Sequence, residues 1–405
     1  MTKISIAIDA RLPDSLVGGV QQVICSLAQG FSLSSNSNID RTWIVYEGTS
    51  WWKKYIPKND HILEIRPPAG RFSLSIVRKY PKVASFMSPW IMRFLEKKNP
   101  FDHLLRKLRI DLVHLPFQEG FKTELPYIYH PHDLQHCHHP EFFSRQQLLR
   151  RDSHWFGLAK NASLVISETH HVSADLRKFW KIEDERIEIL PSPPPIRVAS
   201  SRKLTTDRYL LYPAAFWLHK NHSRLIDAIS CLNSQGIFVN LVFTGAKLGE
   251  YEVLRNKVLD AGLIDQIIFK GHLSDENFMD LFENATGIVV PTLFESYSLP
   301  IWEAMRLGIP VACSNIDALP DQVGEAGLLF DPLNVESISN AVGKIWSDSE
   351  LRQTLSSASK KRTEFLNPEF FANAFCALYR KVLVQPAEHE LSDALQKIQS
   401  VGFKS

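Results

Sequence analysis

The chain has 405 residues, 44% of them apolar and 22% charged, with 46 Lys and Arg against 44 Asp and Glu. That length exceeds one small domain and suits two to four domains of roughly 100–200 residues each, and the composition is that of a globular enzyme, not of a disordered or fibrous chain. A net charge of +2 provides no global field of the kind that draws nucleic acid, so no nucleic-acid partner is expected.

In chain order, Met1 to Asp9 alternates as a strand and turns polar at Asp9, too early for the apolar core of a signal peptide. No run of about 18 apolar residues offers a membrane span. The five cysteines include no C-x-x-C pair and fit reduced thiols in a cytoplasmic protein. Short apolar, β-branched runs predict strands at Ile4–Asp9, Trp43–Tyr46, Ile62–Ile65, Leu112–Leu115, Tyr127–His130, Leu164–Ser167 and Ile187–Leu190. A Pro- and Ser-rich stretch from Pro191 to Thr206 interrupts the rhythm, as a stiff solvated linker does. Strands resume at Tyr209–Pro213, Val239–Thr244, Ile267–Lys270, Gly287–Val290, Pro310–Ser314 and Leu328–Phe330. Helical patterns lie between them, so the fold class is α/β with mostly parallel sheets. The expected domains are residues 1–195 and 196–370, followed by a C-terminal helix with a tail over 371–405.

Arg71 to Ile110 departs from the even charge balance, with ten Lys and Arg against Glu96 and Asp102. Phe72, Phe86, Trp90, Phe94 and Phe101 are interspersed, a composition suited either to an anionic membrane surface or to a solvated helix face around core aromatics. His130, His132, His136, His138 and His139 crowd a second stretch, where zinc ligation has to be weighed. No H-E-x-x-H or paired cysteine accompanies them, and no metal is expected.

Neither G-x-G-x-x-G nor a P-loop is present, and no Asp-x-Asp pair offers a divalent cation two adjacent carboxylates. The informative segment follows the strand ending at Val290. A polar loop carries Glu295, Ser296, Tyr297 and Ser298, and Leu299-Pro300 opens a helix that carries Glu303. In an open α/β sheet such corners, at the carboxyl ends of strands, bind ligands. The backbone amides of Ser298 and Leu299 would favour a phosphate, with the carboxylates left to grip hydroxyls. Acidic residues serving only the helix dipole are the competing account.

Glu295-Ser-Tyr-Ser-Leu-Pro-Ile-Trp-Glu303-Ala-Met305, then Leu307-Gly308-Ile309-Pro310-Val311 and Gly324-Glu325-Ala326-Gly327 through Pro332, resembles glycosyltransferase family 4, retaining enzymes of the GT-B fold. The resemblance implies two Rossmann-like α/β domains facing across a cleft, the first taking the acceptor and the second the nucleotide sugar. It places the donor sugar on Glu295 and the ribose on Glu303, with Ser296, Tyr297, Ser298 and Leu299 forming the donor loop. Tyr212 to His222 resembles the donor-phosphate segment, which gives Lys220 the leaving diphosphate with Asn221 beside it. His132 matches the histidine that touches the donor sugar near the reacting carbon, and Gly18-Gly19 matches the glycine-rich loop near the diphosphate.

Two departures from the family pattern stand out. Ser296-Tyr297-Ser298 replaces a common Gly-Phe-Gly, and Ala214 stands where many relatives carry an arginine. The implied activity is retaining, metal-independent hexosyl transfer, mannose-type, from a GDP- or UDP-linked sugar to a saccharide or lipid-linked saccharide in surface polysaccharide (O-antigen) biosynthesis. Contact with the inner face of the membrane would run through Arg71–Ile110. A catalytically silent nucleotide-sugar-binding subunit, or a GT-B epimerase or phosphorylase, are the alternatives.

Overall fold

The structure is a computed structural model that describes residues 3–14, 18–34, 38–66, 100–197 and 208–383. Residues 71–99 of the basic stretch, the linker from 198 to 206 and the tail after 383 lie outside the described residues. Each expected strand forms, and every pairing is parallel. The first sheet holds β1 (Ile4–Asp9), β2 (Ile39–Tyr46), β3 (His61–Ile65), β4 (Leu112–Leu115), β5 (Tyr127–Tyr129), β6 (Leu164–Ser167) and β7 (Ile187–Ile189), in the order 3-2-1-4-5-6-7. The second holds β8 (Leu210–Pro213), β9 (Leu241–Thr244), β10 (Ile267–Gly271), β11 (Gly287–Val290), β12 (Val311–Ser314) and β13 (Gly327–Phe330), in the order 10-9-8-11-12-13. Each is a doubly wound sheet whose strand order reverses once, between β1 and β4 and between β8 and β11.

Every residue of β4, β6, β9, β11 and β12 is buried. Helices cover both faces of such strands, so their sequences run apolar instead of alternating. β2 begins at Ile39, ahead of the apolar run from Trp43. The parallel register pairs Ile6 of β1 with Arg41, and Asp60 holds that guanidinium through Nε at 2.9 Å and Nη2 at 2.8 Å. A partnered charge is thereby tolerated inside the strand, which hydrophobic patterning alone does not foresee.

The chain divides into two compact units. The first runs to Ser167 and adds Leu176–Ile189 and the C-terminal helix from Phe371; the second comprises Leu190–Phe370 together with Glu168–Asp175. The chain therefore changes unit at Leu190, ahead of the expected boundary after residue 195.

Within the first unit the helix Pro368–Leu383 is fixed by specific contacts. Tyr379 Oη lies 2.8 Å from His114 Nδ1, Ser34 Oγ donates to Asn373 Oδ1 at 2.6 Å, and Lys381 pairs with Glu188. Phe375 stacks on His130, with ring centres 5.4 Å apart.

Candidate functional site

β8 and β11 flank the reversal point of the second sheet, the place where doubly wound sheets bind ligands. The connection after β8 is a 3-10 turn, Leu218–Lys220, leading into the helix His222–Ser234. Asn221 makes the corner at φ 58, a left-handed conformation that asparagine tolerates. Behind this connection, a Cβ on Gly245 at the end of β9 would come within 2.2 Å of Ala214 O, so only glycine lets the two backbones approach. Tyr212 Oη donates to Lys220 O at 2.9 Å. These contacts fix the backbone from which the Lys220 side chain extends.

The loop after β11 is sewn onto the same turn. Leu293 N donates to His219 O at 2.7 Å, and Thr292 Oγ1 lies 3.1 Å from that oxygen. Glu295 N donates to Asp317 Oδ2 at 3.0 Å, and Thr169 Oγ1 donates to Ser296 O at 3.2 Å. Tyr297 is half-buried, with its hydroxyl donating to Ser192 O. Glu295 consequently meets Lys220, with Oε2 2.6 Å from Nζ. The two side chains, from the two loops at the reversal point, are 16% and 20% exposed and open to a ligand.

Three expected donor contacts are revised. Asn221 is buried, and its Nδ2 donates to Pro291 O at 2.8 Å and Pro332 O at 2.9 Å while Arg224 donates to its Oδ1. It is a strut between loops, with no side-chain donor left for a phosphate. The Ser298 amide is likewise engaged. Gln322, fully buried, accepts from Ser298 N at 3.0 Å and donates to Ser298 O at 2.6 Å. The first-turn amides left to an anion at this N-terminus are those of Leu299 and Ile301, since Pro300 carries none. Glu303 is 1% exposed and carries Arg197 Nη1 on Oε1 at 2.9 Å. Burial holds its carboxyl above the usual carboxylate range, against the pull of Arg197 and Arg306. To grip a ribose it must share that carboxylate with Arg197 or exchange partners.

The remaining predicted residues lie in the first unit. Gly18 and Gly19 open the helix Gly19–Leu33 just beyond β1, with no acidic residue in its first turn and no side-chain cap. Among the described residues, a Cβ at Gly18 would touch nothing within 4 Å. His132 follows β5 at φ 61, with Nε2 2.9 Å from Pro116 O. His130 beside it is fully buried and bound through Nε2 to His114 Nε2 at 2.9 Å. Of the basic stretch, the described part includes Phe101, which packs on Phe121 with ring centres 5.4 Å apart and beneath Arg11. That ring is half-buried and takes part in packing within the first unit.

Asp317, Gln322, Thr169 and Arg197 were not anticipated. Each acts through side-chain contacts with residues distant in the chain, and no spacing rule records such contacts. The only local hint is at Asp317, which sits at φ 49 just after β12. Asp is among the few side chains that adopt this region, often near functional loops.

Residues 196–362 match the family described as glycosyl transferases group 1. The chain is 26% identical over 234 residues to O-antigen chain mannosyltransferase B of Escherichia coli, a stretch covering 55% of this chain and 61% of that one. It is 26% identical over 256 residues to the MMP alpha-(1->4)-mannosyltransferase of Mycolicibacterium hassiacum, covering 60% and 61% respectively. The chain thus spans about three fifths of the length of these curated relatives. Among solved structures, sucrose-phosphate synthase from Thermosynechococcus elongatus superposes with a TM-score of 0.69 at 19% identity, over 95% of this chain and all of that one. The fold is therefore of the GT-B class.

Proposed function

From a chain whose residues 196–362 match the family described as glycosyl transferases group 1, we propose a retaining hexosyltransferase that takes its sugar from a nucleoside diphosphate sugar. The observation that carries the reading is the meeting of Lys220 and Glu295 at the reversal point of the second sheet. Cleaving the bond between the anomeric carbon and the diphosphate leaves negative charge on the leaving oxygen. Lys220 supplies fixed positive charge for it, and the Leu299 amide adds a preorganised donor. Glu295, a hydrogen-bond acceptor held by Lys220, grips the sugar hydroxyls. The acceptor oxygen bonds to the anomeric carbon on the face the phosphate leaves, and its proton passes to the leaving phosphate. Charge neutralisation by Lys220 makes a divalent cation unnecessary in this scheme. His132 is proposed to contribute to sugar binding.

The relatives' names support mannose as the sugar and a surface polysaccharide or its lipid-linked precursor as the acceptor. Among the described residues no helix is long and apolar enough to cross a membrane, and membrane contact through Arg71–Ile110 is part of the same proposal. The test is nucleotide release from GDP-mannose and a panel of UDP-sugars, with and without oligomannose acceptors, with the product anomer read by NMR. A new α-linkage with GDP release is the expected result. Nucleotide binding without release from any donor would establish the silent subunit instead.

A further inference from the structure

His132 stands at φ 61, directly after Pro131, in a left-handed conformation that is uncommon outside glycine. Such a backbone persists where its surroundings over-determine it, commonly at functional sites. Bonds on either side hold this one: His130 N donates to Leu115 O at 3.0 Å, Asp133 N to Pro131 O at 2.8 Å, and His132 Nε2 to Pro116 O at 2.9 Å. Because a carbonyl only accepts, His132 Nε2 carries a hydrogen, and in the neutral ring Nδ1 is the acceptor.

A further hold comes from the C-terminal helix. Tyr379 Oη lies 2.8 Å from His114 Nδ1, and His114 Nε2 lies 2.9 Å from His130 Nε2. Tyr379, His114 and His130 are fully buried. The His130 ring centre is 5.8 Å from that of His132, and all four residues belong to the first unit. Burial above all keeps His114 and His130 below the ordinary histidine pKa, so each ring has one hydrogen for two nitrogens.

The hydrogens can run along this chain in two directions. If Tyr379 donates to His114 and His114 to His130, the group left unmet among the described residues is the His130 Nδ1–H. Run the other way, both the Tyr379 hydrogen and the His130 Nδ1 lone pair lack partners. Unmet buried groups are costly, so the first direction prevails. The tyrosine hydroxyl decides this. Without it, each direction leaves one donor and one acceptor unmet, and the two become equivalent.

We propose that Tyr379, His114 and His130 are positioning residues for His132, a polar chain through which the C-terminal helix holds that histidine in place. That His132 in turn meets the sugar rests on the proposed function; the chain and its direction do not.

The test is Tyr379→Phe in the full chain, which deletes one hydroxyl and keeps the ring. It is read by nitrogen-15 NMR of labelled histidines, assigned through His114→Gln, His130→Gln and His132→Gln, and by nucleotide release with acceptor present. In the wild type His114 should carry its hydrogen on Nε2, His130 on Nδ1 and His132 on Nε2. In Tyr379→Phe the two chain histidines should become tautomer mixtures, the His132 resonances should shift, and turnover should fall about ten-fold. Added to His132→Ala, Tyr379→Phe should cost less than about two-fold further, because its effect runs through that ring. Ser34→Ala breaks another bond of the same helix, to Asn373 Oδ1 at 2.6 Å, and should leave His132 and the rate as in the wild type. Unchanged His132 resonances in Tyr379→Phe, an equal change in Ser34→Ala, or an additive loss in the double variant overturns the proposal. A protein that transfers no sugar but shows the His132 shift keeps the chain and loses the transferase reading. One that transfers sugar with His132 unmoved loses the chain alone.

Discussion

Lys220 Nζ and Glu295 Oε2 lie 2.6 Å apart, although 75 residues separate them in the chain. The pair is partly solvated, so it contributes only about 0–1 kcal/mol to stability. In the proposed scheme its importance is for the reaction. Lys220→Ala should lower nucleotide release by about 10²–10³-fold, the usual cost of removing one preorganised charge-stabilising donor, with the melting temperature almost unchanged. Glu295→Gln should lose less than Glu295→Ala, because the amide still holds a hydroxyl. Wild-type rates for both Lys220→Ala and Glu295→Ala would remove the site assignment.

Asp317 positions Glu295 without approaching any substrate in the proposed scheme. Its Oδ2 receives the Glu295 amide, and its backbone sits at φ 49. Asp317→Ala loses the acceptor and adds about 1–2 kcal/mol of left-handed strain. Asp317→Asn keeps both an acceptor oxygen and a tolerance for that conformation. Misplacing a reactive group by about 1 Å can cost 10²-fold in rate. The expected pattern is therefore a fall in kcat for the alanine variant with KM little changed, and recovery in the asparagine variant. Equal kcat losses in the two variants would mean that Oδ2 does something other than hold the amide.

What the sequence made legible and what it did not follow from how far each interaction reaches. Val289-Val290 and Val311-Ala312 announce buried parallel strands because burial on both faces demands apolar residues at consecutive positions. Glu295 and Lys220, which the structure brings together, could be singled out because they lie in corners where strand gives way to helix. Asn221 was misread for a related reason: beside the phosphate segment its amide suggests a ligand, but its partners, Pro291 O and Pro332 O, are 70 and 111 residues away. The Ser298 amide was misjudged likewise, since Gln322 reaches it from 24 residues on. Local chemistry predicts which groups want partners and leaves open which long-range partner arrives first.

Arg197 and Glu303 make a second prediction about charge. Both side chains are nearly buried, at 10% and 2% exposure, and burial already raises the Glu303 pKa while Arg197 restrains it. Arg197→Ala removes the restraint, so the native carboxyl holds its proton to higher pH while the unfolded one releases it at the ordinary value. The native state then binds more protons than the unfolded state, and stability must fall as pH rises. The variant should therefore lose more melting temperature at about pH 8 than at about pH 5, with a cost of about 3–5 kcal/mol for the uncompensated charge. Arg197→Met combined with Glu303→Gln should recover most of it. A pH-independent loss in the single variant would show that the pair is held by packing alone.

The buried histidines set the stability of the chain in acid. His222 is 2% exposed, with its ring 4.5 Å from that of Tyr212, 4.9 Å from Phe216 and 5.0 Å from Phe243. Burial, then the Lys220 charge, brings its pKa down to about 3, and burial does the same to His114 in the first unit. An unfolded histidine titrates near about 6.5. Between these values the unfolded chain takes up protons that the native chain refuses, so stability is fully present above about pH 6.5 and drains away as pH falls toward 3. At about pH 5 each such histidine has cost about 2 kcal/mol, from 1.36 kcal/mol per unit. His222→Phe keeps an aromatic ring among its three neighbours and deletes one of these protons. Denaturant unfolding at about pH 7.5 and about pH 5 should then show the variant losing about 2 kcal/mol less than the wild type on acidification. Equal losses would mean that His222 is already protonated in the native state, which its aromatic surroundings and the neighbouring lysine charge oppose.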